Sequence, residues 1–106
     1  MKTYSDKERF EVQLVDGEGN TNTFIARVRN YDFVTGWGNL VEERQKAVDE
    51  KENEKAIELQ YKMIAFLFGV DFAVMKEYSN ETIVDVIKDY GEYVQKKRQA
   101  QENTEK

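Results

Sequence analysis

The chain has 106 residues, of which 40% are hydrophobic, and this size and composition indicate one domain with a modest core. It contains no cysteine, histidine or proline, which excludes a disulfide scaffold, a catalytic thiolate and zinc sites made of nitrogen and sulfur ligands. The net charge of −5 argues against a general nucleic-acid binder, because neutralising phosphates requires a surplus of lysine and arginine.

The sequence also bears on the compartment. The segment MKTYSDKERF at the start has no apolar stretch typical of a secretory signal, and the apolar run from Met63 to Phe68 is too short to span a bilayer. We therefore expect a soluble protein in a reducing, intracellular setting, with no membrane partner.

Two alternating segments predict an antiparallel β-hairpin over about residues 8–28. Between them, DGEGNTN supplies glycines and Asp and Asn side chains suited to a turn. The residues expected on the inner face are Phe10, Val12, Leu14, Phe24, Ala26 and Val28.

The turn has some likeness to a calcium-binding EF-hand loop. Asp16, Glu18 and Asn20 stand at alternate positions, as the first ligands of such a loop do. However, the sixth position is Thr21 instead of glycine and the twelfth is Arg27 instead of glutamate. The sequence therefore predicts a turn and no metal site.

Residues 31–39 are ambiguous between helix and loop. Tyr31, Val34 and Trp37 share helical spacing, but the glycines at 36 and 38 would each cost about 1 kcal/mol inside a helix. We expect a loop or a helical turn here, with a long helix from about residue 40 and Asn39 as its N-cap. This long helix either runs through the charged residues into Ala56, or it breaks near Asn53 so that two helices form a hairpin.

The densest apolar sequence is KAIELQYKMIAFLFGVDF, residues 55–72, and it predicts the central helix, with Gly69 as its C-terminal stop. Its two neighbouring stripes are Ile57, Tyr61, Ile64 and Phe68, and Leu59, Met63, Phe66 and Leu67. A surface helix needs one stripe, so either everything is core or the surplus serves self-association or a partner helix. We expect residues 64 and 66–68 to divide between core and interface.

Two further helices follow. Asp71 is placed to cap a short one, and Ser79 or Asn80 to cap the last. The stripe expected on the last helix is Ile83, Val86, Ile87, Tyr90 and Val94. The predicted fold is α+β: an N-terminal β-hairpin and a bundle of three to four helices (about 40–94) in one domain, 1–95, with a disordered polar tail, 96–106.

Catalytic chemistry has few candidates. Carboxylate pairs such as Glu42 with Glu43, or Asp85 with Asp89, are available for glycoside hydrolysis or Mg²⁺ binding, but a solvated surface explains them better. We therefore expect a non-enzymatic binding protein without a cofactor. Trp37 lies between two glycines and is either a binding aromatic or a core residue. The candidate partner-binding residues are Trp37, Leu59, Met63, Phe66, Leu67 and Phe72.

From about Val28 to Val94 the order of elements resembles the tail assembly chaperones of long-tailed bacteriophages, especially those of Gram-positive hosts. The likeness lies in a hydrophobic helix that closes on Phe, a small residue and another Phe, and in the final helix. The residues that carry it are Met63, Ile64, Phe66, Phe68, Gly69 and Phe72, then Ile83, Val86, Ile87 and Tyr90.

This resemblance implies a homo-oligomeric chaperone in the cytoplasm of the infected bacterium. It would bind and solubilise the tape measure protein and help to recruit tail tube protein. Two alternatives stay open: a small acidic phage-encoded inhibitor of a host defence nuclease, and a structural virion component. The inhibitor would mimic nucleic acid with its acidic side chains, so high salt would release it from the nuclease. The apolar contacts of a chaperone would stay intact in high salt.

Overall fold

The computed structural model describes residues 1–104. The strands are β1 (Glu11–Val15) and β2 (Thr21–Ile25), and the helices are α1 (Tyr31–Asp49), α2 (Asn53–Phe68), α3 (Phe72–Met75) and α4 (Asn80–Thr104). The described part of the chain is thus a two-stranded antiparallel hairpin followed by four helices, which confirms the predicted α+β class.

The hairpin has the inner face that its alternation predicts. β1 and β2 pair from Glu11 opposite Ile25 to Val15 opposite Thr21. Phe10, Leu14 and Ala26 are buried, while the other three predicted inner residues are half-buried. Both strands are shorter than the predicted span of 8–28. Beyond them the Ala26 N–H still donates to the Phe10 carbonyl at 2.8 Å, but the next N–H, that of Arg27, donates to the Leu67 carbonyl of α2.

Asp16 organises the turn between the strands. Its Oδ1 accepts hydrogen bonds from the backbone N–H groups of Glu18 (2.9 Å) and Asn20 (3.0 Å). These bonds favour the carboxylate and lower the pKa of Asp16. The Asp16 carboxylate therefore stabilises the turn that the sequence predicts.

Helix α1 begins nine residues earlier than expected from its glycines, so the predicted start near residue 40 is wrong. Asn30, not Asn39, is the N-cap, and its side chain accepts a hydrogen bond from the Phe33 N–H at 3.0 Å. The helix continues through Gly36. A glycine stands at this position because α2 passes too close to leave room for a side chain. A Cβ atom on Gly36 would lie 2.6 Å from Cζ of Phe66.

The two glycines of α1 provide a test of this close approach. Gly36→Ala gains up to about 1 kcal/mol of helix propensity but overpacks the Phe66 ring at a cost of about 1–3 kcal/mol. Gly38→Ala gains the same propensity, since nothing lies within 4 Å of its added Cβ. We expect urea denaturation to find Gly38→Ala more stable than wild type and Gly36→Ala less stable than Gly38→Ala by about 1–3 kcal/mol. Equal stabilities would contradict the packing.

A tight reversal joins α1 to α2, which confirms the break near Asn53. α1 ends at Asp49 and α2 starts at Asn53. Between them Lys51 adopts φ +59°, and the N–H of Glu52 donates to the Ala47 carbonyl at 2.8 Å. The charged segment and the apolar helix therefore form an antiparallel helical hairpin, the arrangement that short helix connections favour.

The predicted stop and start signals after α2 are confirmed. Gly69 has φ +66° at the end of α2, and the Asp71 carboxylate accepts from the Ala73 N–H at 2.9 Å. The Ser79 hydroxyl accepts from the Thr82 N–H at 3.2 Å, so Ser79 caps α4.

Helix α4 is longer than predicted. It reaches Thr104, whereas the sequence predicted that the last helix ends near residue 94 and that a disordered tail covers 96–106. Lys, Arg, Gln, Ala and Glu dominate this segment, and such good helix formers extend an existing helix without an apolar face. The last two residues of the predicted tail lie outside the described residues.

The apolar interior consists of two clusters. The main core joins the hairpin to α1, α2, α3 and α4, and the backbone N–H of Arg27 donates to the Leu67 carbonyl at 2.8 Å where the hairpin meets α2. A second, smaller cluster of Ala47, Ala56 and Leu59, with Leu40 beside it, lies toward the turn of the helical hairpin. On α4, Ile83, Val86 and Tyr90 are buried, as their spacing predicts.

Candidate functional site

Three of the six predicted partner-binding residues are buried in the single chain. The exposed fractions of Leu59, Met63 and Leu67 are 5%, 1% and 0%. These residues are not available to a partner, so the prediction that they form a binding surface is corrected. Part of each α2 stripe is buried, because α2 packs against both α1 and α4, whereas Ile57 of the first stripe remains exposed.

Phe66 and Trp37, two more of the six, belong to an aromatic stack at the edge of the main core. The Phe33 ring lies between them, with centroid distances of 5.1 Å to Phe66 and 6.0 Å to Trp37. The Arg27 guanidinium lies 4.8 Å from the Phe66 centroid. Both side chains are half-buried, and within the segment 64–68 Phe66 alone escapes full burial.

Phe72, the sixth, lines an open groove between α2 and α3. The α2–α3 groove has a volume of about 500 Å³ and is lined by Glu54, Ile57, Glu58, Tyr61, Phe72 and Lys76. Ile57 is 43% exposed and Phe72 is half-buried, so apolar surface is accessible here. The Tyr61 hydroxyl donates to the Tyr78 carbonyl at 2.7 Å, and burial together with the charge of Glu81 raises the pKa of Tyr61. The hydrogen bond to Tyr78 fixes the Tyr61 ring as a wall of the groove.

A second apolar surface lies on the outer side of α1 and was missed from the sequence. Val34, Val41 and Val48 recur every seven residues and are all exposed. We call them the valine row. Tyr31, at the start of the same helix, is 81% exposed. The seven-residue spacing was present in the sequence, but it was concealed by assigning Val34 to the same stripe as Trp37.

The carboxylate pairs considered from the sequence lie on the surface. Glu42 and Glu43 on α1, and Asp85 and Asp89 on α4, are all exposed. Across the described residues, no group of three or more acidic side chains is arranged to hold a metal ion. Within the same residues, no helix is both long and apolar enough to cross a membrane.

A third feature is a cavity of about 370 Å³ where the segment before β1, the residues after β2 and helix α4 meet. Four of the five arginines of the chain line it. We call it the arginine pocket, and its charged lining consists of Arg9, Arg27, Arg29, Lys97, Arg98, Asp6 and Glu8. These residues are far apart in the sequence, so no local pattern announces the pocket.

Two tyrosines of α4 contribute to the arginine pocket. The Tyr90 hydroxyl accepts a hydrogen bond from Nη1 of Arg29 at 2.9 Å. Burial raises the pKa of Tyr90, although the bond from Arg29 and its charge partly offset this. The hydroxyl oxygen of Tyr93 is buried and has no hydrogen-bond partner among the described residues. Lys97 lies 5.1 Å from the Tyr93 centroid, and its Nζ donates to the Glu8 carbonyl at 3.1 Å.

Comparison with models of protein families, with curated proteins and with solved structures gave no match to this chain.

Proposed function

We propose that this protein is a non-enzymatic tail assembly chaperone that binds an apolar helical segment of a tape measure protein in the α2–α3 groove. The observation that carries the proposal is the accessible apolar surface of Ile57 and Phe72 in a chain whose core is already closed. The order of helical hairpin, short helix and capped long helix supports the resemblance on which this function rests, which covers about Val28 to Val94.

The α2–α3 groove has the composition that recognition of an amphipathic helix requires. Such a helix places apolar side chains at intervals of three and four residues into an apolar groove. Here Ile57, Tyr61 and Phe72 supply the apolar floor. Glu54, Glu58 and Lys76 supply charges at the rim, which keep the empty groove hydrated and the complex soluble.

The valine row supports self-association along the client. Three valines at seven-residue spacing are the pattern of one position of a heptad repeat, the geometry in which helices pair side by side. We infer that copies of the chaperone associate through α1 while each holds the client through α2 and α3. Recruitment of tail tube protein would follow on the assembled array.

Coexpression with a phage tape measure protein tests the proposal. We expect the client, insoluble alone, to become soluble and to copurify in high salt, because the contacts are apolar. Ile57→Glu in the groove should abolish copurification. Its matched control is Ile25→Glu on β2, since Ile25 is similarly exposed at 51%, and this variant should rescue the client like wild type.

Two results would contradict this function. One is a client that stays insoluble with the wild-type protein, and the other is equal rescue by the Ile57 and Ile25 variants. A partner that is lost in high salt would instead favour the inhibitor of a host nuclease.

A further inference from the structure

We propose that the arginine pocket is a binding site for a phosphorylated ligand carrying about three negative charges, such as a diphosphate group. Five cationic side chains and two acidic ones line the cavity, which leaves three positive charges. The whole chain has the opposite sign, with a net charge of −5. The pocket is therefore a local reversal of the protein's charge.

Among the side chains that the structure describes, no carboxylate lies within 4.0 Å of an arginine of this pocket. In the part of the chain that the structure describes, ion pairs within 4.0 Å join only Lys55 to Glu52 and Lys62 to Glu58. Asp6 and Glu8 line the pocket without pairing with its arginines. Like charges gathered without acidic partners repel one another, which opposes folding, and a bound anion would relieve that repulsion.

The charge and the donors fit phosphate better than a single carboxylate. A guanidinium donates two parallel hydrogen bonds to phosphate or carboxylate oxygens. One carboxylate would offset only one of the three surplus charges, whereas a phosphoryl group carries about 1.5 to 2 negative charges. A volume of about 370 Å³ admits a diphosphate with a small organic group attached.

The tyrosines of the pocket add neutral donors. Tyr90 accepts a hydrogen bond from Arg29, which fixes that guanidinium against α4. The buried hydroxyl of Tyr93 lacks a partner in the described structure, and such an atom costs free energy until an acceptor reaches it.

The confinement of these cationic residues to one cavity of about 370 Å³ argues for a small ligand and against a nucleic-acid strand. Binding a strand requires cationic residues along an extended track. Here the arginines converge on one cavity while the rest of the protein is acidic. The arginine pocket shares no lining residue with the α2–α3 groove, so this inference is independent of the proposed chaperone function.

Isothermal titration of the full chain at low ionic strength with pyrophosphate, ADP and citrate tests the site. We expect pyrophosphate and ADP to bind more tightly than about 1 mM and citrate to bind at least about tenfold more weakly. ADP much tighter than pyrophosphate would identify a nucleotide as the ligand, and equal affinities would identify the diphosphate group alone. No binding by either, or citrate as tight as pyrophosphate, would overturn the proposal.

Variants assign the binding to this pocket. Arg29→Gln and the exposed Arg98→Gln should each weaken pyrophosphate about tenfold, the expected loss for one charge-assisted hydrogen bond. Lys88→Gln removes the same charge from an exposed position on α4, outside the pocket lining, and should change the affinity less than about twofold. Arg29 also bonds to Tyr90, so Arg29→Gln removes a contact within the protein as well. If this variant does not fold, Arg98→Gln alone tests the assignment. An unchanged affinity in Arg98→Gln, or an equal loss in Lys88→Gln, would overturn the assignment.

Discussion

Replacing Phe33 with alanine is expected to lower the free energy of unfolding by about 3–5 kcal/mol. Phe33 is fully buried and its ring lies between those of Phe66 and Trp37, with the edge of Tyr90 at a centroid distance of 6.4 Å. Removing the ring leaves a cavity that these three rigid neighbours cannot close. A loss of this size is a large share of the stability of a domain, which is typically about 5–15 kcal/mol.

Tyr31→Ala is the matched control for Phe33→Ala. It removes an aromatic ring from the same helix, but Tyr31 is mostly exposed, so its loss should change stability by less than about 0.5 kcal/mol. Urea denaturation followed by the fluorescence of Trp37, the single tryptophan, reports both variants. Similar midpoints for the two would show that Phe33 does not hold the stack together.

Leu67→Ala is expected to cost about 2–5 kcal/mol of stability. Leu67 has no exposed surface, and its carbonyl accepts the hydrogen bond that ties the hairpin to α2. From the sequence, Leu67 was predicted to bind a partner. Because Leu67 is buried, its substitution should impair the interaction with the proposed client only to the extent that it unfolds the protein, and binding should recover on cooling toward the temperature of maximum stability.

Ile57→Ala separates stability from binding. Ile57 lies on the same helix as Leu67 but faces the α2–α3 groove, so we expect a stability change below about 1 kcal/mol together with weaker client binding. Denaturation midpoints and copurification yields of the two variants give the comparison. If Leu67→Ala kept full stability yet failed to bind, Leu67 would be an interface residue after all.

Local signals in the sequence were sufficient for the features that depend on local chemistry. The alternation around Phe10 and Phe24 identified the inner face of the hairpin, and Gly69 and Asp71 marked a helix end and a helix start. Each of these depends on backbone geometry or side-chain periodicity within a few residues. The α+β class followed from them.

Features that depend on distant residues were not predictable. In the sequence, Gly36 counted against a helix because glycine has a low helix propensity. The feature that requires a glycine there, the ring of Phe66, lies thirty residues away along the chain. The burial of Leu59 and Met63 required knowing that α1 folds back onto α2. The arginine pocket contains Arg9 from the segment before β1 and Arg98 from α4. No rule of sequence spacing connects two residues so far apart in the chain.

The division of the apolar interior into two clusters predicts that the two ends of the helical hairpin differ in local stability. The cluster near the α1–α2 turn is built largely from Ala47 and Ala56, which remove little apolar area from water compared with the aromatic main core. The turn end of the helical hairpin can therefore open locally while the other end stays closed. Its amide protons would exchange with solvent well before those beside Ile64, and each opening would briefly expose Leu59.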